Sequence, residues 1–414
     1  MNHNHQLLPE QKKLRSRSFF PGILAGAFAK RLVLAILLFS LLTACGIRPV
    51  TAQDRTFLDL SLEFLGAYEL PKTTFKDTLV GGLSGLTYDR QRDRFYAISD
   101  DRSRLAPARF YTLKAVLTDA STGKIGLQKV EVEDVTFLTD QEGKTYAKDT
   151  IDAEGIILSP QQSVFISSEG FARNGISPFV MEFDLKTGRQ RQSLPIPERY
   201  IPDNTEDKPQ TRGIQHNLGF EALTLNPTGT VPAKGEPFRL FTATESALVQ
   251  DKEDPSQTEV AAQGAKCRLL HYLLSDGPPL LISEHFYPLE PPPPGAIKHG
   301  LPELLALDQG GHFLTLERAA GLLGFTVRIY QAATGGATDT SRIASLKGIV
   351  NNIEPVKKKL LLDLETLGIS LDNLEGMTLG PRLPDGSQSL LLVSDNNLAP
   401  EQLTQFLLFR LKSA

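Results

Sequence analysis

Acidic residues recur in this chain at positions where two of them would meet. Glu154 and Glu169, Glu221 and Glu245, Glu303 and Glu317, and Glu375 and Asp395 each open and close a short apolar hairpin, and Asp100-Asp101 closes another. In an antiparallel hairpin the start of one strand and the end of the next share an edge, so each pair is expected at one end of its sheet. Carboxylates held that close raise one another's pKa unless a cation neutralises them. Hard oxygen ligands of this kind suit calcium or magnesium rather than zinc. The expected metal-facing set is Asp100, Glu154, Glu169, Glu221, Glu245, Glu317, Glu375 and Asp395. Glu154, Glu221 and the preceding His216 are the candidates for proton transfer. Basic groups sit beside the same motifs: Arg102, Arg109, Arg173, Lys298 and Arg318 could hold a phosphate or carboxylate, arginine by a two-pronged contact. The plainer alternatives are that the acids cap strand ends and that the cations pair with neighbouring acids. His216 and His299 each precede a motif acid, but neither has a partner at metal-ligand spacing.

The elements that would position these groups come in repeats. Ser84, Glu154, Glu221, Glu303 and Glu375 occupy equivalent places, with steps of 70, 67, 82 and 72 residues. Each copy pairs an opening strand, such as Gly82–Asp89 or Asp372–Leu379, with a second such as Phe95–Asp100 or Leu390–Asp395. Each step has room for two further strands: Phe179–Asp184 with Arg191–Ile196, and Arg268–Leu274 with Leu280–Tyr287. Four short strands per repeat and no strongly amphipathic helix describe the blade of an all-β propeller. Five repeats are visible, with room for a sixth blade. The last runs out after its third strand, Gln405–Leu411, and the N-terminal stretch Phe57–Leu65 could supply the missing one and close the ring, removing exposed sheet edges. A TIM barrel lacks its helical periodicity; paired sandwiches would not give a 70-residue period. Among the loops, 249–265 reads as a disordered insertion and 198–217, which carries Arg212 and His216, stays open.

The first 44 residues read as an export signal. Six basic residues precede or flank the apolar run Leu32–Ala44, which at thirteen residues is too short to span a bilayer as a helix. The run ends in Leu42-Thr43-Ala44-Cys45-Gly46, resembling a bacterial lipobox with Cys45 as the lipidated residue. Residues 45–56 then read as a tether and 57–414 as the propeller domain. The whole chain has 44 basic and 48 acidic residues; without residues 1–44 the balance is 38 to 47, a net of −9. Nothing there suggests nucleic-acid binding. Cys267, the second of two cysteines, lies in an apolar context and reads as a buried small hydrophobe.

Six stretches together resemble a known family. Gly82–Asp89, Ser99–Arg102, Asp152-Ala-Glu-Gly155, Gly219-Phe-Glu-Ala222, Thr244-Glu-Ser246 and Asn373-Leu-Glu-Gly376 are similar to the phytase-like domain family, described as having esterase-like activity, over roughly residues 80–400. The resemblance implies a propeller fold, bacterial secretion and phosphoester hydrolysis. Motifs of other hydrolases are absent: there is no G-x-S-x-G elbow, no H-E-x-x-H and no phosphate-binding G-x-x-x-x-G-K-[ST] loop. Two functions follow as expectations. One is a lipid-anchored, calcium-dependent phosphoesterase at the cell envelope, monomeric and acting on a phosphorylated small molecule. The other is a propeller that binds a ligand or partner there and catalyses nothing.

Overall fold

The computed structural model of the protein describes residues 56–118, 124–204, 208–227, 235–253, 264–348 and 352–413. The export signal, Cys45 and nearly all of the tether lie outside the described residues. Five four-stranded antiparallel sheets stand in a ring, one per repeat. Blade 1 comprises β4 (Leu83–Asp89), β5 (Arg94–Ser99), β6 (Arg109–Leu117) and β7 (Leu127–Phe137), after a small hairpin of β2 (Thr73–Phe75) and β3 (Thr78–Val80). Blade 2 is β8 (Ala153–Ser159), β9 (Ser163–Ser168), β10 (Phe179–Asp184) and β11 (Gln190–Ser193). Blade 3 is β12 (Phe220–Leu225), β13 (Phe238–Thr244), β14 (Lys266–Leu274) and β15 (Leu280–Pro288). Blade 4 is β16 (Ala296–Ala306), β17 (His312–Gly321), β18 (Gly324–Ala333) and β19 (Lys357–Asp363). Blade 5 is β20 (Leu374–Arg382), β21 (Gln388–Ser394), β22 (Thr404–Ser413) and, on its outside, β1 (Leu60–Leu70).

The N-terminal strand therefore closes the ring as expected, although it starts three residues later than Phe57 and runs on to Leu70. Leu60 pairs with Ser413 and Leu70 with Thr404, while Asp395 directly follows β21 on the face where β22 begins at Thr404. The polypeptide thus enters the ring on the face opposite Asp395. No sixth four-stranded blade forms among the described residues, and their helical segments are single 3-10 turns.

Blade stacking explains why the middle strands are apolar runs rather than clean alternations. Strand side chains alternate faces, and both faces of an inner blade strand are covered. In β9, Val164 and Ile166 pack toward blade 1 while Phe165 packs toward blade 3. Five apolar clusters result, one in each cleft between neighbouring blades. Cys267 is buried in the cleft between blades 3 and 4, its Sγ 3.2 Å from the Glu245 carbonyl oxygen, and burial raises its thiol pKa well above normal. A small structural hydrophobe is what the sequence suggested.

The inner strands β4, β8, β12, β16 and β20 touch in sequence around the axis. Their approach is so close that a side chain is excluded after three of the motif residues. A Cβ on Gly155 would lie 2.3 Å from the Glu221 carbonyl oxygen, and one on Gly85 2.5 Å from that of Glu154. The acid-glycine motif thus has a packing cause. Gly155→Ala is expected to cost roughly 1–3 kcal/mol as overpacking against backbone, measurable as a lowered denaturant midpoint; a wild-type midpoint would contradict this reading of the motif.

The two ends of the 249–265 segment depart from expectation. Residues 254–263 lie outside the described residues, but both flanks are ordered by buried charge. Asp251 binds Arg268, fully buried, which also binds Glu284; Glu253 binds Lys266. Glu284 accepts in turn from the Tyr200 hydroxyl, and so ties down the 3-10 turn that opens the 198–217 loop. Apolar patterning could not reveal these pairs, because each partner is distant in sequence.

Candidate functional site: an acidic mouth

Each inner strand begins, and each second strand ends, on one face of the ring. A one-residue bulge at that edge recurs in all five blades, as between Ala153 and Ile156 or Leu374 and Gly376. There the chain surrounds a cavity of about 730 Å³. Asp100, Glu154, Glu221, Glu245, Glu375 and Asp395 line it, with Arg102, Arg104, Lys298 and Arg318.

Six carboxylates form two tight groups. Asp100, Asp152 and Glu154 each bring an oxygen within 4.8 Å of the other two, and so do Glu169, Glu221 and Glu245. Burial raises the pKa of nearly the whole set, and the neighbouring acids add to it. Glu154 is pushed well up by burial and then by Asp100, and Glu221 by burial and then by Glu245 and Glu169. Glu169 reaches about 8 and Glu375 about 7, burial leading in both. Asp152 and Asp395 are raised for the same reason. Buried Asp100 Oδ1, Glu169 Oε2 and Glu221 Oε2 have no hydrogen-bond partner, whereas buried polar atoms are ordinarily satisfied.

Two arginines offset part of this charge. Arg318 Nη2 lies 3.0 Å from both Glu245 and Glu375. Arg102 Nε is 2.5 Å from Asp152 and 3.6 Å from Asp100, and its Nη2 donates to Asn217. Arg104, at the rim, pairs with Asp149. Lys298 has no ion-pair partner among the described residues. Gly300 makes room for Glu245, since a Cβ there would sit 2.3 Å from Oε1. The rim backbone is strained: Arg102, Ser103, Asn217, Asn397 and Leu398 all have positive φ without being glycine. Such conformations persist where surrounding structure holds them and gather at functional sites.

Several expected site residues are elsewhere. Glu317 faces the cleft toward blade 3, where it accepts from Tyr287 and Lys358 and from the Glu290 amide. The bulge in blade 4 sets Arg318 opposite Gly300, and alternation sends the preceding Glu317 to the other face. Glu303 is buried on β16 outside the cavity lining and accepts from the Leu223 and Leu304 amides, the strand-capping role. Arg109 is 0% exposed and holds Asp101, Tyr111 and the Leu79 carbonyl, so it does not reach the mouth. Arg173 is exposed on a 3-10 turn outside the cavity lining. His216 also stands outside the lining, its pKa lowered by burial and then by Arg173 and Arg102; its neighbour Asn217 lines the cavity instead. His299 contacts Glu317 at 3.8 Å and is pushed down to about 4 by burial.

The acid Asp152 and the amide Asn373 were missed. Asn373 Nδ2 donates to Glu375 at 2.9 Å. Both stand two residues before a motif acid, hence on the same strand face. That i, i+2 spacing was visible in Asp152-Ala-Glu154 and Asn373-Leu-Glu375.

Three solved structures are similar to the chain at 13% identity or less. A regucalcin from Agrobacterium tumefaciens, titled a calcium-binding protein, is 13% identical, covering 80% of this chain and 91% of its own, with a TM-score of 0.34. A duf4221 family member from Bacteroides vulgatus is 10% identical over 86% of this chain and 99% of its own, at a TM-score of 0.36. An endo-arabinase from Bacteroides thetaiotaomicron is 10% identical over 81% and 95%, at 0.37. No curated protein matches the chain significantly. The family model described as "Esterase-like activity of phytase" matches residues 78–398, nearly the whole ring with its acidic mouth, and the chain belongs to this phytase-like family.

Proposed function

We propose that the protein is an exported, lipid-anchored phosphoester hydrolase that works with a divalent cation, calcium, at the acidic mouth. One observation carries this reading. Eight carboxylates converge there (Asp100, Asp152, Glu154, Glu169, Glu221, Glu245, Glu375 and Asp395), and four cations, Arg102, Arg104, Lys298 and Arg318, stand against them. The donor set fits a hard cation, because it offers oxygen ligands alone in two groups, with unsatisfied oxygens in each. A bound cation there would withdraw charge from a phosphoryl oxygen and make a water more acidic.

The chain's own residues account for the rest. Lys298 and Arg318 face the cavity from blade 4 and Arg102 from blade 1, placed to hold phosphate oxygens from two sides. Glu154 and Glu221, whose carboxyl pKa values are raised well above the ordinary range by burial and neighbouring acids, are suited to take a proton from the attacking water or pass one to the leaving oxygen. Asn373 and Gly219 orient Glu375 and Glu169 through donated hydrogen bonds.

The test is hydrolysis of an aryl phosphate and of phytate, with calcium and with chelator. Turnover should require the cation, and Glu154→Gln should lower kcat by about 100-fold or more. A calcium-dependent rise in melting temperature without hydrolysis would instead support a binding propeller. The envelope location rests on Leu42–Cys45. Cys45→Ala is expected to move the protein out of the membrane fraction or block its processing; unchanged fractionation and mass would refute the anchor.

A further inference from the structure

The mouth has an apolar side. Leu105, Ala320, Phe325 and Leu398 line the same cavity as the acids and arginines. Leu105 is 64% exposed and Phe325 and Leu398 are half-buried, an arrangement that leaves apolar surface facing the cavity entrance. Blade 4 builds much of this side by its length. Its β17–β18 hairpin keeps pairing for three residues beyond Arg318, as far as Gly321 and Gly324. The tip then exposes Leu322 and Leu323 almost completely. An apolar residue costs little when singly exposed, but grouping around a polar cavity marks recognition surface.

The basic side is sparse. Four cationic residues line the cavity, and Arg102, Arg104 and Arg318 are already held by carboxylates. Lys298 alone has no ion-pair partner among the described residues. A ligand bearing many phosphates would bring far more negative charge than this side could meet, next to a ring that is itself acidic. One phosphate is what the cations can serve.

We propose that the preferred substrate carries a single phosphate ester on an apolar, aromatic or alkyl alcohol, with the alcohol packed against Leu105, Phe325, Ala320 and Leu398. This specificity rests on the phosphoesterase reading above. The hydrolytic products are inorganic phosphate and the free alcohol, with water supplying the hydroxyl to phosphorus and the proton to the leaving oxygen.

The experiment compares 1-naphthyl phosphate, glycerol 2-phosphate and phytate as substrates of the wild-type chain with calcium. The naphthyl ester is expected to have the highest kcat/KM. Phe325→Ser and Leu105→Asn should each lower the ratio of kcat/KM for naphthyl phosphate over glycerol 2-phosphate by about tenfold, chiefly through KM for the aryl ester. Leu105 is exposed enough that its variant folds, which melting curves check. Equal or better turnover of glycerol 2-phosphate or phytate, or an unchanged ratio in both variants, overturns the specificity and leaves the phosphoesterase reading standing. If no ester is hydrolysed, that reading falls, and calorimetry with 1-naphthylmethylphosphonate and inorganic phosphate still decides the apolar subsite. Tighter binding of the phosphonate, lost in Phe325→Ser, supports it; equal binding or none overturns it.

Discussion

Replacing Arg318 with methionine is expected to cost about 3–5 kcal/mol of stability at pH 8, the usual loss when one partner of a buried ion pair is removed, and much less at pH 5. Arg318 is nearly inaccessible and lies 3.0 Å from two buried carboxylates, Glu245 and Glu375. Methionine keeps most of the volume, so the loss reports charge rather than a cavity. The pH dependence follows from burial, which together with Glu245 holds the Glu375 carboxyl up at about 7 even with the arginine present. At pH 5 the carboxyls take up protons and no bare charge remains between them. At pH 8 the variant must either bury uncompensated negative charge or hold protons against the solvent. Denaturant midpoints at the two pH values measure this directly. An equal loss at both would mean that Arg318 acts by packing alone.

The second large effect belongs to the whole ring. In chelator, stability is expected to fall steadily from pH 5 to pH 8. Glu169 has a folded pKa of about 8 and Glu375 of about 7, against an ordinary value of 4.5. The folded state therefore holds protons that the unfolded chain has already lost across that window. Their stabilising contribution is fully present below pH 4.5 and disappears as pH rises through 7 to 8. Each such proton changes stability by about 1.4 kcal/mol per pH unit. Calcium in excess should flatten the decline, since a cation replaces the protons in neutralising the carboxylates and binds only the folded ring. A melting temperature that is level across pH 5–8 in chelator would show that the acids are not forced together as described.

Some of this was legible in the residues and some was not. The ring was, because Ser84, Glu154, Glu221, Glu303 and Glu375 mark an edge bulge repeated in every blade, and blades must repeat to stack. The closing strand was legible too, because Gln405–Leu411 lacked an outer partner and Phe57–Leu65 had the right alternation. Side-chain direction was not. Glu317 and Arg318 are neighbours, and a shift of one residue at the bulge decides which enters the cavity and which enters the cleft. Arg109 carries the same charge as Arg102 and follows the same acids, yet Asp101 turns inward to it and to the Leu105 and Ala106 amides. Asp152 stands outside the repeated position that Glu154 occupies, so the repeat alone does not mark it. It becomes visible once strand alternation is applied two residues upstream.

The claim that the mouth is a cation site meets its most direct test in calorimetric titration of the metal-free protein with calcium at pH 7.5, in two buffers of different ionisation enthalpy. Saturable binding with release of protons is expected, because the carboxyls raised by burial must ionise to become ligands. Glu221→Gln should weaken the binding and reduce the proton release. Absence of binding, or binding with no proton release that Glu221→Gln leaves unaltered, would contradict a cation site at the acidic mouth.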